Sequence, residues 1–249
     1  FLAADLKDDE HVTLRVIADG PLGGIIVTAD DGLNVRGYVG EPFVDLPLNG
    51  AGKLDVGHAV GAGTLYVTRQ RASGQAYTGS VQLVSGEIGD DLTAYLTYSE
   101  QRPSLVSVGV LVNPDLGVRT AGGILVEMLP PHGEDGLVDL LSTNLLSVGG
   151  VSQALDKGAS PAELLTRALE GLEFDVQGTT ETVQFRCGCS REKVRAILLS
   201  LGPGEIREML QEHRPAEVSC RFCDTEYMFD ESELREILQE TAETTSGED

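Results

Sequence analysis

The chain is expected to be an α+β protein, with a mixed, sheet-rich N-terminal domain, a helical linker region and a small C-terminal module of ββα type. Three observations lead there. Alternating, β-branched runs fill the first half, starting at Val12-Thr13-Leu14-Arg15-Val16. Apolar spacing turns helical after Pro130-Pro131. All four cysteines fall late in the chain, as Cys187-Gly188-Cys189 and Cys220-Arg221-Phe222-Cys223, with thirty residues between the pairs. A period of two puts alternate side chains on one face of a strand, whereas recurrence at three and four residues lines one face of a helix. A length of 249 residues suits two domains, at roughly 100–200 residues each. The boundaries expected are a core over residues 1–170, a flexible linker over 171–181, a cysteine module over 182–240 and an acidic, disordered tail over 241–249.

The run from Val12 ends at Gly20-Pro21-Leu22-Gly23-Gly24, a cluster of turn residues. Ile25 to Thr28 predicts a second strand, Asp30-Asp31-Gly32 a tight turn, and Leu33 to Val39 a third. The glycine cluster has no Lys-Ser/Thr ending and no periodic helix after it, so a phosphate loop is not supported. A turn or two of helix is expected around Asp55 to Val60, then strands over Thr64 to Arg69 and Tyr77 to Val84. Asp90-Asp91 opens a helix whose Leu92, Tyr95 and Leu96 share a face, the acids favouring the positive end of its dipole. Leu105 to Val112 and Val118 to Met128 predict a hairpin about Asn113-Pro114-Asp115-Leu116-Gly117.

Helical spacing follows over Leu137 to Leu146, Val151 to Leu155 and Ala162 to Leu169, the last opened by the capping box Ser160-Pro161-Ala162-Glu163. Glu170 to Thr180 has glycines, acids and few apolar residues, as a hinge would. Thr182 to Arg186 alternates into Cys187, and Ser190 caps a helix with Val194, Ile197, Leu198 and Leu201 on one face. A short helix through Ile206, Met209 and Leu210, a strand at Val218, a return strand through Tyr227 and Phe229, and a helix capped by Asp230 and Glu233 complete the module.

Lys and Arg number 18 against 40 Asp and Glu, a formal charge of −22. That charge opposes the counterion-release attraction of nucleic-acid binders, so neither nucleic acid nor an anionic membrane is an expected partner. No apolar run approaches a membrane span of about 20 residues, and no basic-then-apolar leader opens the sequence, so a cytoplasmic protein is expected. Neither Gly-x-Ser-x-Gly nor His-Glu-x-x-His occurs, no carboxylate pair stands out, and His11, His58 and His132 are isolated. No enzyme is expected.

The cysteines carry the chemistry. Thiolates are soft ligands and zinc takes four of them tetrahedrally, so two close pairs brought together make one closed Cys₄ site for a single Zn²⁺, with Cys187, Cys189, Cys220 and Cys223 as ligands. Arg186, Arg191, Lys193, Arg195 and Arg221 cluster nearby and can offset the net negative charge of such a centre. His213 lies between the pairs, but four thiolates already complete the tetrahedron. Three readings remain open on spacing: a redox switch in which the pairs oxidise, a permanent zinc staple in a structural or interaction protein, and a dithiol oxidoreductase. The strained ring that a Cys-x-Cys disulfide closes favours the first.

These residues resemble the redox module of the thirty-three-kilodalton heat-shock chaperonins, the redox-regulated holdases. The resemblance extends to Gly20-Pro21-Leu22-Gly23-Gly24, Ser85-Gly86-Glu87-Ile88-Gly89-Asp90-Asp91-Leu92, Ser99-Glu100-Gln101-Arg102-Pro103-Ser104 and Ala121-Gly122-Gly123-Ile124-Leu125-Val126, and covers nearly the whole chain. It implies an ATP-independent chaperone of the stress response, inactive when reduced and zinc-bound. It further implies that oxidation joins Cys187 to Cys189 and Cys220 to Cys223, expels zinc, unfolds the module with its linker and uncovers surface for unfolding client proteins, and that the oxidised form is a homodimer. The family usually carries a further segment ahead of the part matching Lys7-Asp8-Asp9, and this chain starts at Phe1.

Overall fold

The computed structural model describes residues 1–46, 48–50, 52–129, 136–176 and 182–245, with side chains through Thr241. The Pro130-Pro131 boundary, His132, residues 177–181 of the expected linker and residues 246–249 of the expected tail lie outside the described residues. The chain divides into two compact units, Phe1–Gln184 and Phe185–Asp249.

The first unit is organised by strands β1 (His11–Ala18), β2 (Ile25–Asp30), β3 (Asn34–Val39), β4 (Gly63–Gln70) and β5 (Ala76–Gln82), with helix α1 (Val56–Val60) before β4. Their order is β5-β4-β1-β2-β3, and the two-residue strand β8 (Gln184–Phe185) makes a sixth beyond β3. The pairings within the first five are antiparallel, with Leu14 opposite Val67 and Val16 opposite Leu65. Val12, Val16, Leu65 and Val67 therefore share one face, where they are buried with Leu2, Leu6, Val60, Tyr95 and Leu96. Each such side chain contributes about 1.5–3 kcal/mol by leaving water.

Tyr95 and Leu96 reach that face from helix α2 (Ile88–Ala94) and the π turn Tyr95–Ser99 that continues it. The sequence pairs Asp90 with Asp91 as two acids at a helix start. The structure separates them: Asp91 is buried, and its Oδ1 accepts the N–H groups of Val84 and Ser85 at 2.6 and 3.2 Å. It clasps the turn after β5 by accepting two of its backbone N–H groups.

Strands β6 (Ser104–Val112) and β7 (Val118–Glu127) form a separate two-stranded sheet. Helices α3 (Leu137–Ser147), α4 (Val151–Asp156) and α5 (Pro161–Ala168) follow. A Cβ on Gly122 would lie 2.4 Å from Leu155 Cδ1, so a bare backbone on β7 lets α4 come close. Ile124, Val148, Val151, Ala154, Leu164 and Ala168 make a second core, so these helices belong to the body of the unit. The capping box of α5 is complete, Glu163 N–H donating to Ser160 Oγ and Ser160 N–H to Glu163 Oε2.

The second unit contains α6 (Arg191–Leu201), α7 (Pro203–Gln211), the antiparallel strands β9 (Ala216–Ser219) and β10 (Glu226–Phe229), and α8 (Glu231–Thr245). Val194, Leu198, Ile206, Phe229, Leu234 and Ile237 form its core. The sequence places Ile197 and Leu201 on the buried face of α6, but they are 58% and 44% exposed; only the stripe through Val194 and Leu198 is covered. The second compact unit begins at Phe185, and the Gln184 N–H, in the first unit, is bonded to Leu33 O at 3.2 Å. Of the tail expected over 241–249, residues 241–245 are described, and they lie in α8. Thr241 is buried, its hydroxyl donates to Leu238 O at 2.8 Å, and Arg195 grips Glu240 with two bonds of 2.9 and 2.5 Å, which hold the helix one turn longer.

Candidate metal centre

Cys187 and Cys189 lie on the segment that leads into α6, and Cys220 and Cys223 on the turn that joins β9 to β10. That turn is closed by Cys223 N–H and Asp224 N–H, both donating to Cys220 O, and by Cys220 N–H donating to Thr225 O at 3.0 Å. Asp224 takes the left-handed conformation, φ 55°, which aspartate tolerates better than most residues. Ser190 anchors the other side, its Oγ accepting Lys193 N–H at 3.3 Å at the start of α6. Lys193 Nζ then reaches back to donate to Gly188 O at 2.6 Å, holding the carbonyl between the first two cysteines.

All four sulfurs lie within 4.8 Å of one another, the one such group of metal-capable side chains among the described residues. Cys187 Sγ is 3.6 Å from Cys220 Sγ, and Cys189 Sγ is 3.4 Å from Cys223 Sγ. Zinc–sulfur bonds of about 2.3 Å in a tetrahedron put neighbouring sulfurs about 3.8 Å apart. The thiol cluster therefore fits a tetrahedral metal ion of zinc's size. None of the four cysteines is in a disulfide, and each is partly exposed.

Hydrogen bonds to sulfur differ from one cysteine to the next. Thr225 bonds to Cys223 Sγ through its hydroxyl, at 3.2 Å, and through its backbone, which pulls that thiol down to about 6. Burial pushes Cys220 up to about 11, against the pull of the Phe222 N–H. Cys187 is lowered: burial raises it, but the Cys189 N–H and neighbouring thiols outweigh that. Cys189 is raised: the Tyr227 hydroxyl, donating at 3.1 Å, lowers it, but the other thiols and burial prevail. Tyr227 is itself pushed up to about 12, because its proton is held against that sulfur. These four sulfurs would have to give up their remaining protons to hold a metal ion, so loading would release acid.

The basic residues divide their work. Arg191 lies 4.4 Å over the Phe229 ring and donates to Met228 O and Glu233 Oε1, each at 2.6 Å. With Arg195 on Glu240, it joins α6 to α8. His213 is largely exposed, with Nδ1 3.5 Å from Glu231, and stands outside the sulfur cluster. Thr225 and Tyr227 were not singled out as site residues by spacing. The available signal was two hydroxyl side chains at the second and fourth positions after Cys223.

Fold and centre together define the class: an α+β protein whose small C-terminal unit gathers four thiols into a metal-capable cluster. Among the described residues no helix is long and apolar enough to cross a membrane. The family model described as Hsp33 protein matches residues 1–230. The chain is 43% identical over 243 residues to the 33 kDa chaperonin of Desulforamulus reducens, covering 98% of this chain and 82% of that one. It is 47% identical over 238 residues to the 33 kDa chaperonin of Symbiobacterium thermophilum, covering 95% and 80%. The crystal structure of the 33 kDa chaperonin of Thermotoga maritima superposes with a TM-score of 0.88 at 36% identity, over 97% of this chain and 82% of that one. The chain belongs to the Hsp33 family, a family of chaperones and not of enzymes.

Proposed function

We propose that this protein is a redox-regulated, ATP-independent holdase whose switch is a zinc ion held by Cys187, Cys189, Cys220 and Cys223. The observation that carries the reading is the convergence of four free thiols within 4.8 Å in a unit whose core has six buried apolar side chains. So small a core relies on its metal, and zinc bound to such a module contributes about 10–16 kcal/mol toward folding. When bound, zinc supplies cross-linking and keeps the sulfurs deprotonated. The residues do the rest: Lys193 and the Cys220–Thr225 turn orient the ligands, and Arg191 and Arg195 fasten α8 over the core.

Oxidation cannot spare that arrangement. A disulfide needs its sulfurs about 2.05 Å apart, whereas Cys189 and Cys223 stand at 3.4 Å and Cys187 and Cys220 at 3.6 Å. Sulfur that is joined to sulfur no longer offers a thiolate, so the ion leaves and the unit loses its staple. The pairing of Cys187 with Cys189 and Cys220 with Cys223 is the one that the resemblance to the redox-regulated holdases implies. Val194, Leu198, Ile206, Phe229, Leu234 and Ile237 then become accessible to unfolding client proteins, alongside the connecting segment 171–181. A reducing cytoplasm suits the resting state, and exposed apolar surface suits a homodimer when oxidised.

The test is aggregation of a heat-denatured client with reduced and with peroxide-treated protein, alongside zinc and thiol titration. Protection only after oxidation, with one zinc lost per chain, is expected. Equal protection by both forms rejects the switch, and zinc retained through peroxide treatment points to a permanent staple in an interaction protein. Turnover of a disulfide substrate would point instead to a dithiol oxidoreductase.

A further inference from the structure

The four sulfurs are not held alike. Cys187 accepts the backbone N–H of Cys189, and Cys220 that of Phe222. These bonds follow from the turns and survive any side-chain change. The second cysteine of each pair also accepts a side-chain hydroxyl, Cys189 from Tyr227 at 3.1 Å and Cys223 from Thr225 at 3.2 Å. Both hydroxyls come from one short stretch: Thr225 closes the turn through its carbonyl, and Tyr227 sits in β10 with its ring against the unit's core.

We propose that Tyr227 and Thr225 are positioning residues of the switch, whose hydroxyls draw electron density from one sulfur of each pair and so set the oxidant dose at which the centre fires. The inference rests on the redox reading above. Peroxide is attacked by a sulfur lone pair: the O–O bond breaks, one sulfur becomes a sulfenic acid and hydroxide leaves. A second thiolate then displaces hydroxide from that sulfur, and the S–S bond forms. Two electrons leave the sulfur pair and reduce one peroxide to two hydroxides, which take up protons as water. A hydroxyl bonded to the attacking lone pair is lost on the way, which raises the barrier. Because the bonds are coded by side chains, a single substitution retunes the threshold and leaves the ligands in place.

Tyr227→Phe and Thr225→Val remove the hydroxyls and keep the shapes, while Thr225→Ser keeps a hydroxyl. Tyr98→Phe, an exposed tyrosine of the first unit, is the control. In the full chain, zinc-loaded and reduced, release of zinc on peroxide addition is expected about tenfold faster in Tyr227→Phe and Thr225→Val, the size seen for residues behind metal ligands. Thr225→Ser and Tyr98→Phe stay at the wild-type rate. The same proteins loaded with cobalt(II) give a second readout, because thiolate-to-cobalt charge transfer moves to longer wavelength when sulfur becomes richer in electrons, and a merely structural role would not shift it. Unchanged rates or an unmoved band overturn the proposal. If wild-type protein itself keeps its zinc in peroxide, the switch reading fails, and the cobalt band still decides whether the hydroxyls act on sulfur.

Discussion

Ile237→Ala separates a metal that builds the C-terminal unit from one that merely decorates it. Ile237 is fully buried on α8 among Val194, Leu198, Ile206, Phe229 and Leu234. Alanine favours the helix, so the change acts through packing alone. Truncating such a side chain costs about 3 kcal/mol, within the usual 2–5. If the metal-free unit is unfolded, binding and folding are one step and the whole loss appears in affinity: at 1.4 kcal/mol per decade, apparent zinc affinity falls about 150-fold. The zinc-loaded variant still folds, since 3 kcal/mol is a fraction of the roughly 10–16 that the metal supplies. The assay is competition against a chromophoric chelator under anaerobic, reducing conditions, with circular dichroism of both metal states. Wild-type affinity in Ile237→Ala, with a metal-free unit that keeps its helical signal, would refute the reasoning.

Other perturbations reach different parts of the molecule. Arg191→Ala removes the ring contact at 4.4 Å and both hydrogen bonds that join α6 to β10 and α8; calorimetry should show the melting temperature of the second unit lowered by about 5 °C, and Arg191→Lys should recover only part of it. Gly20→Ala places a Cβ 2.4 Å from the backbone of Val60, which cannot move aside as a side chain would; denaturant unfolding of the first unit should report a loss near 3 kcal/mol, the upper end of ordinary overpacking. Burial pushes the Asp30 carboxyl up, but bonds from the Asn34 side chain and the Asn34 and Gly32 N–H groups outweigh it and hold it below its ordinary 3.8. Its stabilisation is therefore present above pH 3.8 and lost as acidity carries the pH through the lowered value. An acid-unfolding curve of Asp30→Asn should lack that component.

Much of the centre was legible because its determinants are local. Thiol pairs two or three residues apart mark a metal-capable site at any distance in the fold, and the caps at Ser160, Ser190 and Asp230 lie within three residues of the groups they satisfy. The alternating strands were legible for the same reason. Asp91 was not, since its partners Val84 and Ser85 are brought to it by a turn whose course the local pattern does not state. Ile197 and Leu201 misled because helical periodicity names a candidate face and says nothing of how wide a stripe a neighbour will cover. The pairing of Arg195 with Glu240 was not legible either, because its partners lie far apart in sequence.

Residue types and short spacings by themselves determined that this is an α+β chain with a four-thiol site, and the resemblance of its motifs to a known family pointed to the family. Only the tertiary structure decided that the sulfurs converge within 4.8 Å, that α3 to α5 close a second core in the first unit, and that Tyr227 and Thr225 stand against the thiols. The reason is range: caps, turns and periodicity act over a few residues and can be read along the chain. The hydrogen bond from Tyr227 to Cys189 and the cover over an apolar face join residues tens of positions apart, and they exist only once the backbone has brought them together.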